Sequence, residues 1–152
     1  MLRSLLIALA LCVATPAFAD QPKFSDYPAD IYKGKVAKPI LDTADKREFK
    51  TRINEAAKGK VDFAGHFIVA EWGCGASCLG GAVIDAKTGV VTMIPWSICC
   101  TMWNDDADRI QRKADSRLIA FVGMINEEEP DAFHWFEFDG GNFKPVATEP
   151  VK

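Results

Sequence analysis

Four cysteines, at positions 74, 78, 99 and 100, constrain this chain more than any other feature, because they fall in two tight groups. A fifth, Cys12, lies in an amino-terminal segment that reads as an export signal. Met1-Leu2-Arg3 is a positive start, Leu5 to Ala14 an apolar run, and Ala17-Phe18-Ala19 before Asp20 a small-x-small cleavage site. Cleavage after Ala19 is expected. The apolar run is much shorter than the roughly 20 residues needed to cross a bilayer, so no transmembrane segment and a periplasmic or secreted location are expected.

Removal of that signal leaves an even set of cysteines for an oxidising compartment, where two disulfides are the default. Three pairings exist. A direct Cys99–Cys100 bridge closes an eight-membered ring and lies outside the usual Cα separation of about 4.4–6.8 Å. Cross-pairing of Cys74 and Cys78 with Cys99 and Cys100 is therefore the first expectation. A local Cys74–Cys78 bridge is the alternative, since Gly73 and Gly75 free the backbone to turn between those thiols. Cross-pairing would close loops of about 20 to 26 residues, each stabilising by about 3 kcal/mol in the chain-entropy picture.

The mature chain has 152 − 19 = 133 residues, one domain's worth, and loses Arg3 with the signal, giving 17 − 21 = −4 formal charges. That sign is wrong for a protein held by nucleic acid phosphates. Apolar residues at 49% and charged residues at 26% exclude a disordered or collagen-like chain.

Residues 20–44 carry Pro22, Pro28, Pro39 and Gly34 and read as an extended arm anchored by Tyr27, Ile31 and Tyr32. A single domain is expected over 45–152. It begins with one helix from Asp45 to Lys58, whose Phe49, Ile53, Ala56 and Ala57 form one apolar stripe. Asp45 with Glu48 gives that helix an acid-first start resembling a capping box. Strands are expected over His66–Trp72, Ala82–Asp85, Val90–Ile94, Arg109–Lys113, Leu118–Gly123 and Phe133–Phe138, with Gly73–Gly81 as a loop. The fold class this implies is α+β: one N-terminal helix packed on an antiparallel β-meander of about five to six strands, stapled by disulfides. The stretch from Lys113 to Gly141 resembles one blade of a β-propeller, although the chain is too short for a propeller, so the likeness is local.

Phe63-Ala64-Gly65-His66 followed by Trp72-Gly73-Cys74-Gly75-Ala76-Ser77-Cys78 resembles an uncharacterised family of small exported bacterial proteins carrying an F-A-G-H … W-G-C-G-x-x-C segment. The likeness covers roughly Phe49 to Ile94 and implies export and a β-rich domain. It implies no catalytic residues, and Cys99-Cys100 lies outside it.

No nucleophile elbow, phosphate loop or zinc-protease helix is present, so no catalytic residue is assigned and no cofactor is expected. His66 is the one candidate general base, towards a cysteine or an acid such as Glu71 or Asp85. His134 is expected on the strand face opposite Phe133 and Trp135. The reading that follows is an exported, non-enzymatic binding domain of the bacterial envelope, inhibitor-like or immunity-like, with an unknown protein or envelope component as partner. Its acidic body suits a basic hydrolase such as a lysozyme. The expected contact face comprises Trp72, Ser77, Leu79, Trp96 and Trp103, because large amphipathic rings dominate binding hot spots. The competing reading makes Cys74, Cys78, Cys99 and Cys100 a periplasmic thiol-redox centre, or a Cu(I) or zinc site with His66 and His134.

Overall fold

The computed structural model describes residues 21–101, 108–128 and 130–151. The expected export signal with Cys12, and Trp103, lie outside them. Eight strands form one antiparallel sheet among these residues, more than the five or six expected. They are β1 (Phe67–Gly75), β2 (Cys78–Asp85), β3 (Val91–Met93), β4 (Ile98–Cys99), β5 (Ile110–Arg112), β6 (Leu118–Ile125), β7 (Ala132–Phe138) and β8 (Phe143–Pro150). The main path runs β1-β2-β4-β6-β7-β8, with β3 on β2 and β5 on β6.

The glycine-cysteine run is strand where a loop was expected. Glu71 pairs with Gly81, Trp72 with Gly80 and Gly73 with Leu79, so β1 and β2 make one long hairpin that turns at Ala76-Ser77. Glycine is a poor strand former alone. Here its lack of a side chain makes room, since a Cβ on Gly80 would lie 3.0 Å from the Trp72 indole nitrogen.

In place of the single N-terminal helix, two short helices occur, α1 (Ala44–Glu48) and α2 (Lys50–Ala56). The N-cap is Thr43, whose hydroxyl accepts from the Lys46 N–H at 3.4 Å, rather than the acid pair. The break falls at Phe49 (φ −92°, ψ 17°), whose ring stacks on Trp72 with centroids 4.3 Å apart. The apolar stripe survives the break. Phe49, Ile53, Ala56 and Ala57 all pack on Ile68, Ala70, Trp72 and Ile84, the outer face of the β1–β2 hairpin.

The opposite face of β1 and β2 supplies Val69 and Val83 to a cluster that also takes Ile98, Ile110, Ile119, Phe121 and Phe138 from the rest of the sheet. Both halves of the sheet share this core, so the sheet bends over it. A third cluster, Leu118, Ala120 and Trp135, is covered by Phe24 and Tyr27. Apart from a single 3-10 turn at Phe24–Asp26, the described part of the arm has no helix or strand up to Asp42 and lies over the body as a cover. The backbone N–H groups of Ala29, Tyr32, Ala37 and Ile40 donate to the carbonyls of Asp115, Gly65, Ala86 and Gly89 at 2.7–2.8 Å. Tyr27 and Tyr32 are half-buried against the body as expected, whereas Ile31 is 47% exposed and anchors nothing.

β4 is only two residues long, and its approach to β6 requires Gly123. That glycine has φ +129°, and a Cβ there would lie 2.5 Å from the Cys99 carbonyl oxygen. Gly123→Ala is therefore expected to destabilise the fold by about 2 kcal/mol or more, read as a lowered denaturation midpoint in urea.

Candidate functional site

The two cysteine groups meet where β2 and β4 pair. Leu79 pairs with Ile98, which sets Cys78 and Cys99 beside that pair on neighbouring strands. The bridges are local nonetheless: Cys74 joins Cys78, and Cys99 joins Cys100, with Cα separations of 5.1 Å and 3.7 Å. Cross-pairing does not occur. The hairpin register sets Cys78 opposite Gly75, with Cys74 in the irregularity just before it, so the two thiols are already close at the turn, and the left-handed backbone of Cys100 (φ 59°) accommodates the adjacent-residue ring.

Beyond Leu79 the hairpin leaves the core. Gly73 to Ser77 are all exposed, closed at their root by the Cys74–Cys78 bridge, with Ser77 left-handed at φ 55°. The Arg109 guanidinium donates to the Ser77 carbonyl from across the fold. A clamped, exposed turn is the result.

Among the described residues the expected aromatic face is not assembled. Trp72 is buried under Phe49 on the helix side of the sheet, while Leu79 and Trp96 are half-buried against the inner core. Trp96 packs on Phe121, Phe136 and Phe143, and lines an open pocket of about 320 Å³ with Pro95 and Asn142. Strand alternation puts Trp72 and Leu79 on opposite sides, since Gly73 is the residue that pairs with Leu79. Of the named contact residues, Ser77 is exposed, and Trp103 is outside the described region.

At the far end of the same hairpin lies the turn Phe63-Ala64-Gly65-His66. Ala64 (φ 45°) and Gly65 (φ 81°) are both left-handed, and the Phe67 N–H closes the turn onto the Phe63 carbonyl at 2.9 Å. Gly65 is required there, because a Cβ would meet the Asp30 carbonyl at 2.6 Å. His66 Nδ1 lies 2.8 Å from Asp85 Oδ1. A carboxylate can only accept, so Nδ1 carries the proton. Asp85 also accepts from the Lys87 N–H at 2.8 Å and the Thr88 hydroxyl at 2.7 Å. Partial burial pushes the Asp85 carboxyl up, but the Thr88, Lys87 and His66 hydrogen bonds outweigh it and hold the group below its ordinary value. His66 and Asp85 line a shallow cleft of about 290 Å³ with Arg117 and Asp139. Glu71, the other acid considered for His66, is engaged elsewhere.

Glu71 belongs to an ion cluster whose members lie too far apart along the chain for any spacing pattern to reveal it. Arg112 on β5 donates to Asp62 at 2.9 Å and to Glu71 at 2.6 Å. Burial lifts the Glu71 carboxyl above its usual range despite the arginine beside it. His134, on the strand face opposite Phe133 and Trp135 as expected, is buried with Nε2 at 3.0 Å from the Gly123 carbonyl. No group of three or more His, Cys, Asp or Glu placed to hold a metal ion occurs among the described residues.

Compared with protein-family models, curated proteins and solved structures, the chain matches none.

Non-reducing proteolysis with mass spectrometry is expected to link Cys74 to Cys78 and Cys99 to Cys100, with no peptide joining the two groups. Asp85→Asn is expected to lower stability by about 1–2 kcal/mol at neutral pH. Because the folded Asp85 value is depressed, its stabilisation is present above the ordinary value of 3.8 and is lost as pH falls through the folded value. The difference in melting temperature between wild type and variant should accordingly narrow as pH drops below about 4.

Proposed function

We propose that the protein is an exported, non-enzymatic binding domain of the bacterial envelope, inhibitor-like or immunity-like, and that its contact element is the clamped hairpin turn. The observation that carries this reading is the run Gly73–Ser77, five exposed residues held at their root by a disulfide. A turn ordered before binding loses little conformational entropy on docking, which favours insertion into a partner's cleft. The export signal at residues 1–19 supports a periplasmic or secreted location, and cleavage after Ala19 belongs to the same proposal. The acidic body favours a basic partner such as a lysozyme-type hydrolase.

A thiol-redox function is the second reading, favoured by one observation: Cys78 and Cys99 flank a single strand pair, so the two bridges are neighbours. Turnover of a dithiol substrate by the purified protein would favour it over the binding role.

A photo-crosslinking residue at Ala76, at the exposed turn, is expected to trap one envelope protein, whereas the same residue at Lys144 traps none. Cys74→Ser/Cys78→Ser, with the fold checked by circular dichroism, is expected to reduce that capture severalfold. Equal capture from both positions, or none from Ala76, would overturn the binding role.

A further inference from the structure

The chain is acidic overall, yet one region is strongly basic. From Ile31 to Leu41 the only charged residues are Lys33, Lys35 and Lys38. All three are exposed. Gly59, Lys60 and Val61 lie against this stretch, forming an open groove of about 330 Å³ with Ile31, Lys33 and Val36. Lys58 is exposed beside Lys60, and the Lys87 ammonium sits 5.7 Å from the centre of the Tyr32 ring. The acids that border it are mostly engaged: Asp30 precedes Ile31, Asp42 after Leu41 is paired with Lys46 at 2.7 Å, Glu55 with Lys58 at 2.7 Å and Asp62 after Val61 with Arg112 at 2.9 Å, and Asp85 is occupied by His66 and its own turn. Lys33, Lys35, Lys38 and Lys60 make no ion pair among the described residues.

Apolar groups accompany this charge. Ile31 is 47% and Ile40 45% exposed, two of the four large apolar side chains most open to solvent among the described residues. Both lie on the arm, which backbone hydrogen bonds to Gly65, Ala86 and Gly89 hold rigidly against the body. The patch therefore combines fixed cations with protruding isoleucines, the combination that binds a surface offering phosphates above hydrocarbon.

We infer that the Lys33–Lys60 groove, with Ile31 and Ile40, is a peripheral docking surface for an anionic lipid membrane. The inference goes beyond the turn-mediated binding proposed above and stands without it. Geometry gives it a consequence: the patch lies at the Phe67/Asp85 end of the β1–β2 hairpin, and the clamped turn at the other end. Eight residue steps along β1 separate them by about 26 Å at the usual strand rise. Docked through the patch, the protein would hold its turn away from the lipid surface.

Sedimentation with vesicles tests this, using the signal-free protein. Binding is expected to phosphatidylcholine vesicles containing phosphatidylglycerol, to weaken at high salt, and to be absent with phosphatidylcholine alone. Lys33→Glu/Lys35→Glu/Lys60→Glu is expected to weaken binding about a hundredfold or more, and Ile31→Asp to weaken it further. Near-ultraviolet circular dichroism checks that each variant keeps its fold. Failure to sediment with phosphatidylglycerol vesicles, or unchanged binding by the triple variant, would overturn the inference. So would equally tight binding to soluble poly-glutamate, which would assign the patch to an acidic protein. Ala76 crosslinking is independent of these measurements, so each proposal can fail separately.

Discussion

A two-residue strand holds this structure together. Ile98 pairs with Leu79 on one side and with Ile125 on the other, while Cys99 pairs with Met124. Through that link the β1–β3 half joins the β5–β8 half, and the inner core draws on both, so loss of the seam would open the largest apolar cluster to water. So short a strand cannot be secured by its own ladder. It is secured by its surroundings: the Ser97 and Asn126 backbones and the Asn126 side chain exchange two 3.0 Å hydrogen bonds, Gly123 admits the Cys99 carbonyl, and the Cys99–Cys100 bridge closes the exit.

Around that seam the molecule is layered by its own amino-terminal arm. A sheet bent over one core still exposes two apolar outer faces, and a small chain has few elements with which to cover them. Phe24 and Tyr27 cover one face, while Tyr32, Val36, Leu41 and the two short helices cover the other. The arm follows this route with its backbone groups paired to loop carbonyls, which is why so proline-marked a segment is ordered. Its side chains that point away, the lysines and Ile31 and Ile40, are left to solvent as a basic and apolar strip. The β1–β2 hairpin consequently has two unlike ends: a clamped turn of small residues, and a base locked by His66 and Asp85 beside that strip.

Much of the strand pattern was legible before the fold was known. The Asp85–Gly89 turn and the β-branched runs leading into and out of it required only period-two alternation, and these segments are strands. Phe133 and Trp135 fall on one face and Phe136 and Phe138 on the other, as alternation demands. The helix stripe was legible, though not its break, because stacking of Phe49 on Trp72 joins residues 23 positions apart. Nor was β8 visible over its full length. Exposed on most of its side chains and carrying Pro145 and Pro150, it lacks the apolar signal that marks a strand and is held by its pairing with β7.

Local features could be read from residue order alone: strand period, turn chemistry, four cysteines in two groups, and the signal-like start. How these combine was settled by folding. Sulfur pairing followed from the hairpin turn rather than from loop entropy, because pairing of Cys78 with Gly75 already brings Cys74 beside it. Tryptophan exposure was decided by what packs over each ring, and Phe49 removes Trp72 from any surface. His66 found Asp85 because strand pairing sets Phe67 opposite Asp85, a relation between positions 19 residues apart that no spacing rule contains. Charge behaved likewise: the cations near residues 33 and 60 form one patch only once the arm is laid against the body, since composition records net charge and only folding decides which charges become neighbours.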